Sequence, residues 1–268
     1  MINNFNELKL LLNQSKPFSI IRFGNVEMSA ILQDKGIYNQ MYTNAGFYGN
    51  EKDFKNWKNK YCRSIYNCDI ILDVYTCKSF TIQSDLLYKL NVWKPILPYI
   101  EQVEYWIDLL KYIPNDTINI ISYFKKDIDS QLPNMDKIWN RKINKKFIVH
   151  KSQNTITGNE IDSGWTETFE KLCKSLGSCK GKIYFVSCGC YGLPICDYIK
   201  SEGGSAIYLG GLLQTLFGLK GSRFDEREYY SKHYNKFWKY PTEKPKNSQG
   251  VENNCYWENK IETNKIKK

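Results

Sequence analysis

Three stretches of this chain combine glycines with side chains able to grip an anion or a cation. The first is Arg22-Phe23-Gly24-Asn25-Val26-Glu27, where an amide and a carboxylate stand two residues apart beside an arginine. Oxygen donors so spaced can hold a hard cation and present it to a diphosphate. The same residues also read as a helix start, with Asn25 as N-cap, Glu27 on the positive end of the helix dipole and Arg22 paired with a neighbour. The second stretch is Ser187-Cys188-Gly189-Cys190-Tyr191-Gly192. Its glycines let backbone approach a ligand, and a helix beginning there offers N–H groups to phosphate oxygens. Close packing of a strand on a helix explains it equally well. It matches G-x-G-x-x-G only in part, and the next strand ends in Tyr208-Leu209-Gly210-Gly211 with no acidic residue for a ribose hydroxyl, which disfavours a dinucleotide cofactor. The third stretch runs from Gly210 to Asp225. Gly210 and Gly211 precede a short apolar helix containing Gln214, and Gly218 and Gly221 break it around Lys220 and Arg223. Fixed cations beside a helix start suit a diphosphate leaving group, whose departure builds negative charge. A buried helix followed by a basic loop is the plain alternative.

Other chemistry has less material. Asp73, at a strand end, reads as a metal ligand or general base, or as a turn cap. Asp162 and Glu160, ahead of an amphipathic helix, carry the same ambiguity. His150 and His233 are the two histidines, and neither lies in a motif supporting a Ser-His-Asp or Cys-His site. Nine cysteines are an odd number for a disulfide framework in a chain of this size. The closest pair, Cys188-x-Cys190, is too tight for a zinc knuckle. Free thiols in a reducing compartment fit better.

The elements that must position these residues are legible as a strand and helix alternation. Apolar runs at Phe18 to Phe23, Asp69 to Tyr75, Thr117 to Ser122, Lys146 to His150, Lys182 to Ser187 and Ala206 to Leu209 read as buried strands. Between Asp162 and Leu176, residues Trp165, Phe169, Leu172, Cys173 and Leu176 share one helix face. Pro194 opens a further helix that stops at Gly203-Gly204. Alternation of this kind implies parallel pairing, crossover helices and a ligand cleft at the carboxyl ends of the strands. The expected organisation is one α/β domain over residues 1–258 and a basic tail over 259–268. Pro241 to Asn254 is a turn-rich connection, and Cys255-Tyr256-Trp257 an apolar anchor returning to the body.

The opening residues place Phe5, Leu8, Leu11 and Leu12 at helix spacing and lack the features of a signal peptide. No apolar run approaches the roughly 20 residues that span a bilayer, so a cytoplasmic protein is expected, in the host cytoplasm if the chain is viral. The formal charge of +10 attracts anions, whether nucleic acid, anionic lipid or phosphorylated small molecules. A solvated basic face is the plain reading, and no recognisable motif supports nucleic-acid binding.

Taken together, FSIIRFGNVE, VSCGCYGLPICDYI, YLGGLLQTLFGLKGSRFD and the terminal CYW resemble, in order and spacing, the glycosyltransferases of the GT-D fold. That family includes a bacterial glucosyltransferase domain long labelled as of unknown function and related proteins of bacteria and large DNA viruses. The resemblance covers most of the chain. It implies a single Rossmann-like α/β domain with a mostly parallel sheet flanked by helices. The implied activity is sugar transfer from a nucleotide-diphosphate sugar, a UDP-sugar favoured, to a glycan or glycoprotein acceptor. In the family the first segment reads R-x-G-D-x-E, and its D-x-E pair is implicated in binding a divalent metal, Mn or Mg, and the nucleotide diphosphate. Here Asn25 stands where Asp is expected, while Arg22, Gly24 and Glu27 match. An amide supplies no charge, so metal affinity should fall. By resemblance Glu27 is catalytic and, with Asn25, a metal ligand. Gly189, Tyr191, Gly192, Gly210, Gly211, Gln214, Lys220 and Arg223 join Arg22 and Gly24 in lining the donor site, and Asp73 is a candidate base. The alternative is a nucleic-acid- or nucleotide-binding protein without catalysis, and a methyltransferase or dehydrogenase of similar topology is weaker still.

Overall fold

In the computed structural model, residues 2–32, 37–73, 77–153, 158 and 160–259 are described. They form one seven-stranded sheet in the order β3-β2-β1-β7-β6-β4-β5. The strands are β1 (Ser19–Arg22), β2 (Ile70–Leu72), β3 (Ile96–Leu97), β4 (Thr117–Ser122), β5 (Lys146–Lys151), β6 (Ile183–Ser187) and β7 (Ser205–Tyr208). Each adjacent pair is parallel, so every strand delivers its carboxyl end to the same rim. The fold is α/β and Rossmann-like, as the alternation implies.

Successive side chains of a strand point to opposite faces, and a sheet covered on both faces is built mostly of apolar residues. Ile20, Ile118, Ile120, Ile183, Phe185 and Ile207 enter one core. Their neighbours Ile21, Ile121, Tyr184, Val186 and Ala206 enter the other. The helices Ile2–Leu12 and Val103–Leu109, with Trp238 and Trp257, close the first core. Glu51–Asn67, Trp165–Leu176 and Gly192–Ser201 close the second. All five apolar residues expected on one face of the helix ending at Leu176 are buried. Leu8, Leu11 and Leu12 of the first helix are buried too, while the Phe5 side chain lies outside the described residues.

Several boundaries differ from the sequence expectation. β3 has two residues, bracketed by Pro95 and Pro98, so it carries neither the length nor the alternation that marks a strand. β2 ends at Leu72, and residues 74 and 75 of its expected run lie outside the described residues, as do 260–268 of the expected tail. The helix expected to open at Pro194 begins two residues earlier, at Gly192, leaving the proline in its first turn, where a missing N–H costs nothing. Asn25 is the first helical residue and not the cap. The Gly24 carbonyl accepts the first helical bond, from Met28 N at 3.0 Å.

The strongest cap is elsewhere. Asn50 accepts from Asp53 N at 3.1 Å while the Asp53 carboxylate accepts from Asn50 N at 3.1 Å, a reciprocal box at the start of Glu51–Asn67. Asp53 also accepts from Thr166 N at 3.1 Å and so ties two helices together. Asn50→Ala is expected to cost about 1 kcal/mol, seen as a lower denaturant midpoint at unchanged m-value.

Candidate functional site

The carboxyl ends of β1, β6 and β7 meet where the strand order steps from β1 to β7, a break in consecutive numbering. There they surround a cavity of about 210 Å³. Arg22, Ser187 and Tyr208 close its floor, and the turns carrying Gly24, Gly189, Gly210 and Gly211 form its walls. The loop after β3 adds Tyr99 and Glu101. Arg223, Arg227, Glu252 and Tyr256 arrive from the last fifth of the chain. A second cavity of about 50 Å³ adjoins it, sharing Ser187, Gly189, Gly211 and Tyr256 and reaching Ser122 and Gln214.

Glu27 sits in the first turn of Asn25–Leu32 and folds back beneath Gly24. A Cβ added at Gly24 would stand 2.1 Å from Glu27 Oε2, so the glycine is what lets the carboxyl lie there. Glu27 is 8% exposed. Burial pushes its carboxyl above the ordinary value, opposed by its own backbone N–H and by the Arg22 guanidinium. Asn25 lines the same wall.

The guanidiniums are each placed by a separate device. Arg22 lies over the Tyr99 ring at 4.8 Å from its centroid. Gly210 has φ +60°, and a Cβ there would stand 2.3 Å from Arg22 Nη1. Arg223 Nη1 donates to the Tyr256 hydroxyl at 3.1 Å, and its Nη2 lies 3.4 Å from the Glu252 carboxylate. Arg227 Nη1 donates to Glu101 Oε1 at 2.8 Å and to the Tyr229 hydroxyl at 3.0 Å. Tyr229 in turn donates to Glu101. A Cβ at Gly211 would stand 2.7 Å from Tyr256 Cε1, so this glycine admits the tyrosine to the wall. Tyr256 is held by the returning segment, in which the Cys255 and Trp257 carbonyls accept from Arg223 N and Ser222 N, each at 3.1 Å.

Gly210→Ala adds a left-handed strain of about 1 kcal/mol and drives a methyl into the Arg22 guanidinium. The expected result is a folded protein of slightly lower melting temperature, measured by calorimetry beside the wild type.

Arg22, Gly24, Asn25, Glu27, Gly189, Gly210, Gly211 and Arg223 are thus brought together. Five other expected site residues stand apart from the larger cavity. Lys220 turns its ammonium to the rings of Tyr234 and Tyr240, at 4.8 and 5.6 Å from their centroids. Tyr191 is fully buried and stacks on Trp165 at 5.4 Å. Gly192 is a packing glycine, since a Cβ there would stand 2.3 Å from the Tyr208 ring. Gln214 donates to the Lys220 and Tyr256 carbonyls at 2.7 and 3.3 Å, bracing the wall from behind and touching the smaller cavity alone. Asp73 accepts from Gln83 Nε2 at 3.1 Å beside β3. Conversely, Tyr99, Glu101, Arg227, Glu252 and Tyr256 line the cavity without having been expected there. Recognising β3 would have pointed to Tyr99 and Glu101, because residues just past a parallel strand face the cleft.

A resident divalent ion does not fit these donors. Asn25 and Glu27 supply one neutral amide and one buried carboxyl, while Glu101 and Glu252 are closed against Arg227 and Arg223. Among the described residues no group of three or more His, Cys, Asp or Glu is placed to hold a metal ion. The described cysteines that are buried form no disulfide. No helix among the described residues is long and apolar enough to cross a membrane.

No protein-family profile and no curated protein matches the chain. Among solved structures, one similar chain is the selenomethionine-substituted structure of domain of unknown function 1792, at 11% identity and a TM-score of 0.42 over 78% of this chain and 82% of that one. The α/β class rests on the sheet described above, and a likeness at that score adds nothing about function.

Proposed function

We propose that this chain is a glycosyltransferase that takes a sugar from a nucleotide-diphosphate sugar, a UDP-sugar favoured, and passes it to a glycan or glycoprotein acceptor. The observation that carries the reading is the meeting of Arg22, Glu27, Gly189 and Arg223, from three segments far apart in sequence, around one cavity at the carboxyl rim of a parallel sheet. Guanidiniums bind phosphate oxygens in bidentate fashion, and the backbone at Gly189, at φ +53°, lets a ligand come close. The faces of Tyr99 and Tyr256 suit a sugar ring or a base.

In the reaction, the acceptor hydroxyl oxygen bonds to the anomeric carbon of the donor as the bond from that carbon to the diphosphate breaks. The electron pair leaves on the diphosphate, where preorganised cations stabilise it most. Glu27 is assigned to receive the hydroxyl proton. Asp73, beside Gln83 and away from the cavity wall, has no role in this reading.

The test is a thermal-shift panel of nucleotide sugars followed by assay of sugar release. A ligand at 100 times its dissociation constant should add about 2.7 kcal/mol of stability. Stabilisation by a UDP-sugar with sugar release supports the reading. Stabilisation without release under any acceptor leaves a nucleotide-binding protein, and steep salt-dependent RNA or DNA binding with no nucleotide response leaves a nucleic-acid binder.

A further inference from the structure

We propose that Arg22, Arg223 and Arg227 together stand in for a divalent cation, so that this site binds a nucleoside diphosphate and stabilises its departure without a metal. The inference rests on the reading of the cavity as a nucleotide-diphosphate site.

Two features of the chain support it. The first is the donor set. A hard cation is held by several oxygen donors, preferably charged ones, with phosphates filling the rest of its shell. At the first turn of Asn25–Leu32 the charge that Asp would bring is missing at Asn25, and Glu27 lies folded beneath Gly24. The two remaining carboxylates of the cavity are engaged, Glu252 with Arg223 at 3.4 Å and Glu101 with Arg227 at 2.8 Å. A cation drawn to either would sit beside a guanidinium and be repelled by it.

The second feature is the placement of the three cations. Each guanidinium is fixed by its own set of neighbours: Arg22 by Tyr99 and the close approach of Gly210, Arg223 by Tyr256 and Glu252, Arg227 by Glu101 and Tyr229, with Tyr99 and Glu101 supplied by one loop. The carboxylates therefore act as orienting groups and not as ligands. A guanidinium offers five N–H donors in a rigid fork, more than one carboxylate can take up, and that fork matches a phosphate. Cations held in place before the bond breaks need no reorganisation as charge develops on the diphosphate, which is the service a bound metal ion performs elsewhere. Arg227 lies four residues past Arg223, across the short helix Ser222–Asp225, so one segment delivers two of the three.

The experiment is calorimetric titration of the full chain with UDP, once in EDTA and once in manganese. The same affinity in both conditions is the expected result. Binding in manganese alone overturns the inference while leaving the nucleotide site intact, and no binding in either condition overturns the nucleotide reading as well. Arg227→Ala should weaken UDP binding roughly ten- to a hundredfold, equally with and without manganese. Arg227→Lys keeps the charge and loses the fork, so it should recover only part of the affinity. An Arg227→Ala protein that melts like the wild type and binds UDP as tightly overturns the three-arginine inference. Asn25→Asp restores the missing charge, and manganese should then tighten UDP binding to that variant. If manganese leaves Asn25→Asp unaffected, the amide is not what keeps a cation out, and the account of the site falls with it.

Discussion

Glu27→Ala should lower sugar transfer by about a hundred- to a thousandfold, the scale set by removing one preorganised polar group from a site of developing charge. The side chain is buried beneath a glycine that tolerates no Cβ and feels the Arg22 guanidinium at the end of β1, while the cavity's other two carboxylates are ion-paired with Arg223 and Arg227. The fold should survive the change, because removing a carboxyl held in a low-dielectric pocket also removes its desolvation cost. Glu27→Gln separates the roles. It preserves volume and an acceptor oxygen but cannot take a proton, so it should be as inactive as Glu27→Ala if the carboxyl acts as a base. Full transfer by either variant, measured with a donor that stabilises the wild type, would remove Glu27 from the mechanism.

The second large effect concerns the support behind the cavity. Trp57, on the helix Glu51–Asn67, is 0% exposed and donates from Nε1 to the Cys190 carbonyl at 3.0 Å. Its ring packs on Phe54 and Tyr61, with centroids 5.3 and 5.2 Å away. Trp57→Ala should cost about 3 to 5 kcal/mol through lost burial and the cavity left behind, with a further ~1 kcal/mol for the stranded carbonyl. Because Cys190 follows Gly189 directly, the same variant should weaken nucleotide binding even at temperatures where it stays folded. Chemical denaturation and UDP titration of the one variant measure both. A loss below about 1 kcal/mol would mean that the site collapses around the gap or that the ring is not packed as described.

Strand positions and side-chain directions are not equally legible in this sequence. Strands buried on both faces are largely apolar, so β1, β4, β6 and β7 announce themselves despite buried polar residues such as Ser19 and Asn119. The turns after β1, β6 and β7 follow, since the rim of a parallel sheet is set once the strands are known. Side-chain direction is another matter. Lys220 lies between glycines beside the right turn, yet Tyr234 and Tyr240, fourteen and twenty residues further on, take its ammonium into their ring faces. Gly192 has the look of a phosphate-approach glycine and serves the Tyr208 ring instead. The Arg227 and Glu101 pair joins residues 126 apart, neither in a motif, and becomes visible only when a two-residue strand brings its loop to the rim. Local pattern sets the frame, while contacts distant along the chain decide which polar groups face the ligand.

The returning segment that carries Glu252 and Tyr256 has a consequence for the order of synthesis. All seven strands among the described residues precede both residues in the chain, so the sheet is complete in sequence before that flank of the pocket begins. A nick in the turn-rich connection after Pro241 would untie that flank and, with it, Val251, Cys255 and Trp257, which are buried in the first core. Limited proteolysis there should lower thermal stability and ligand binding together, because one segment supplies both a pocket wall and core side chains.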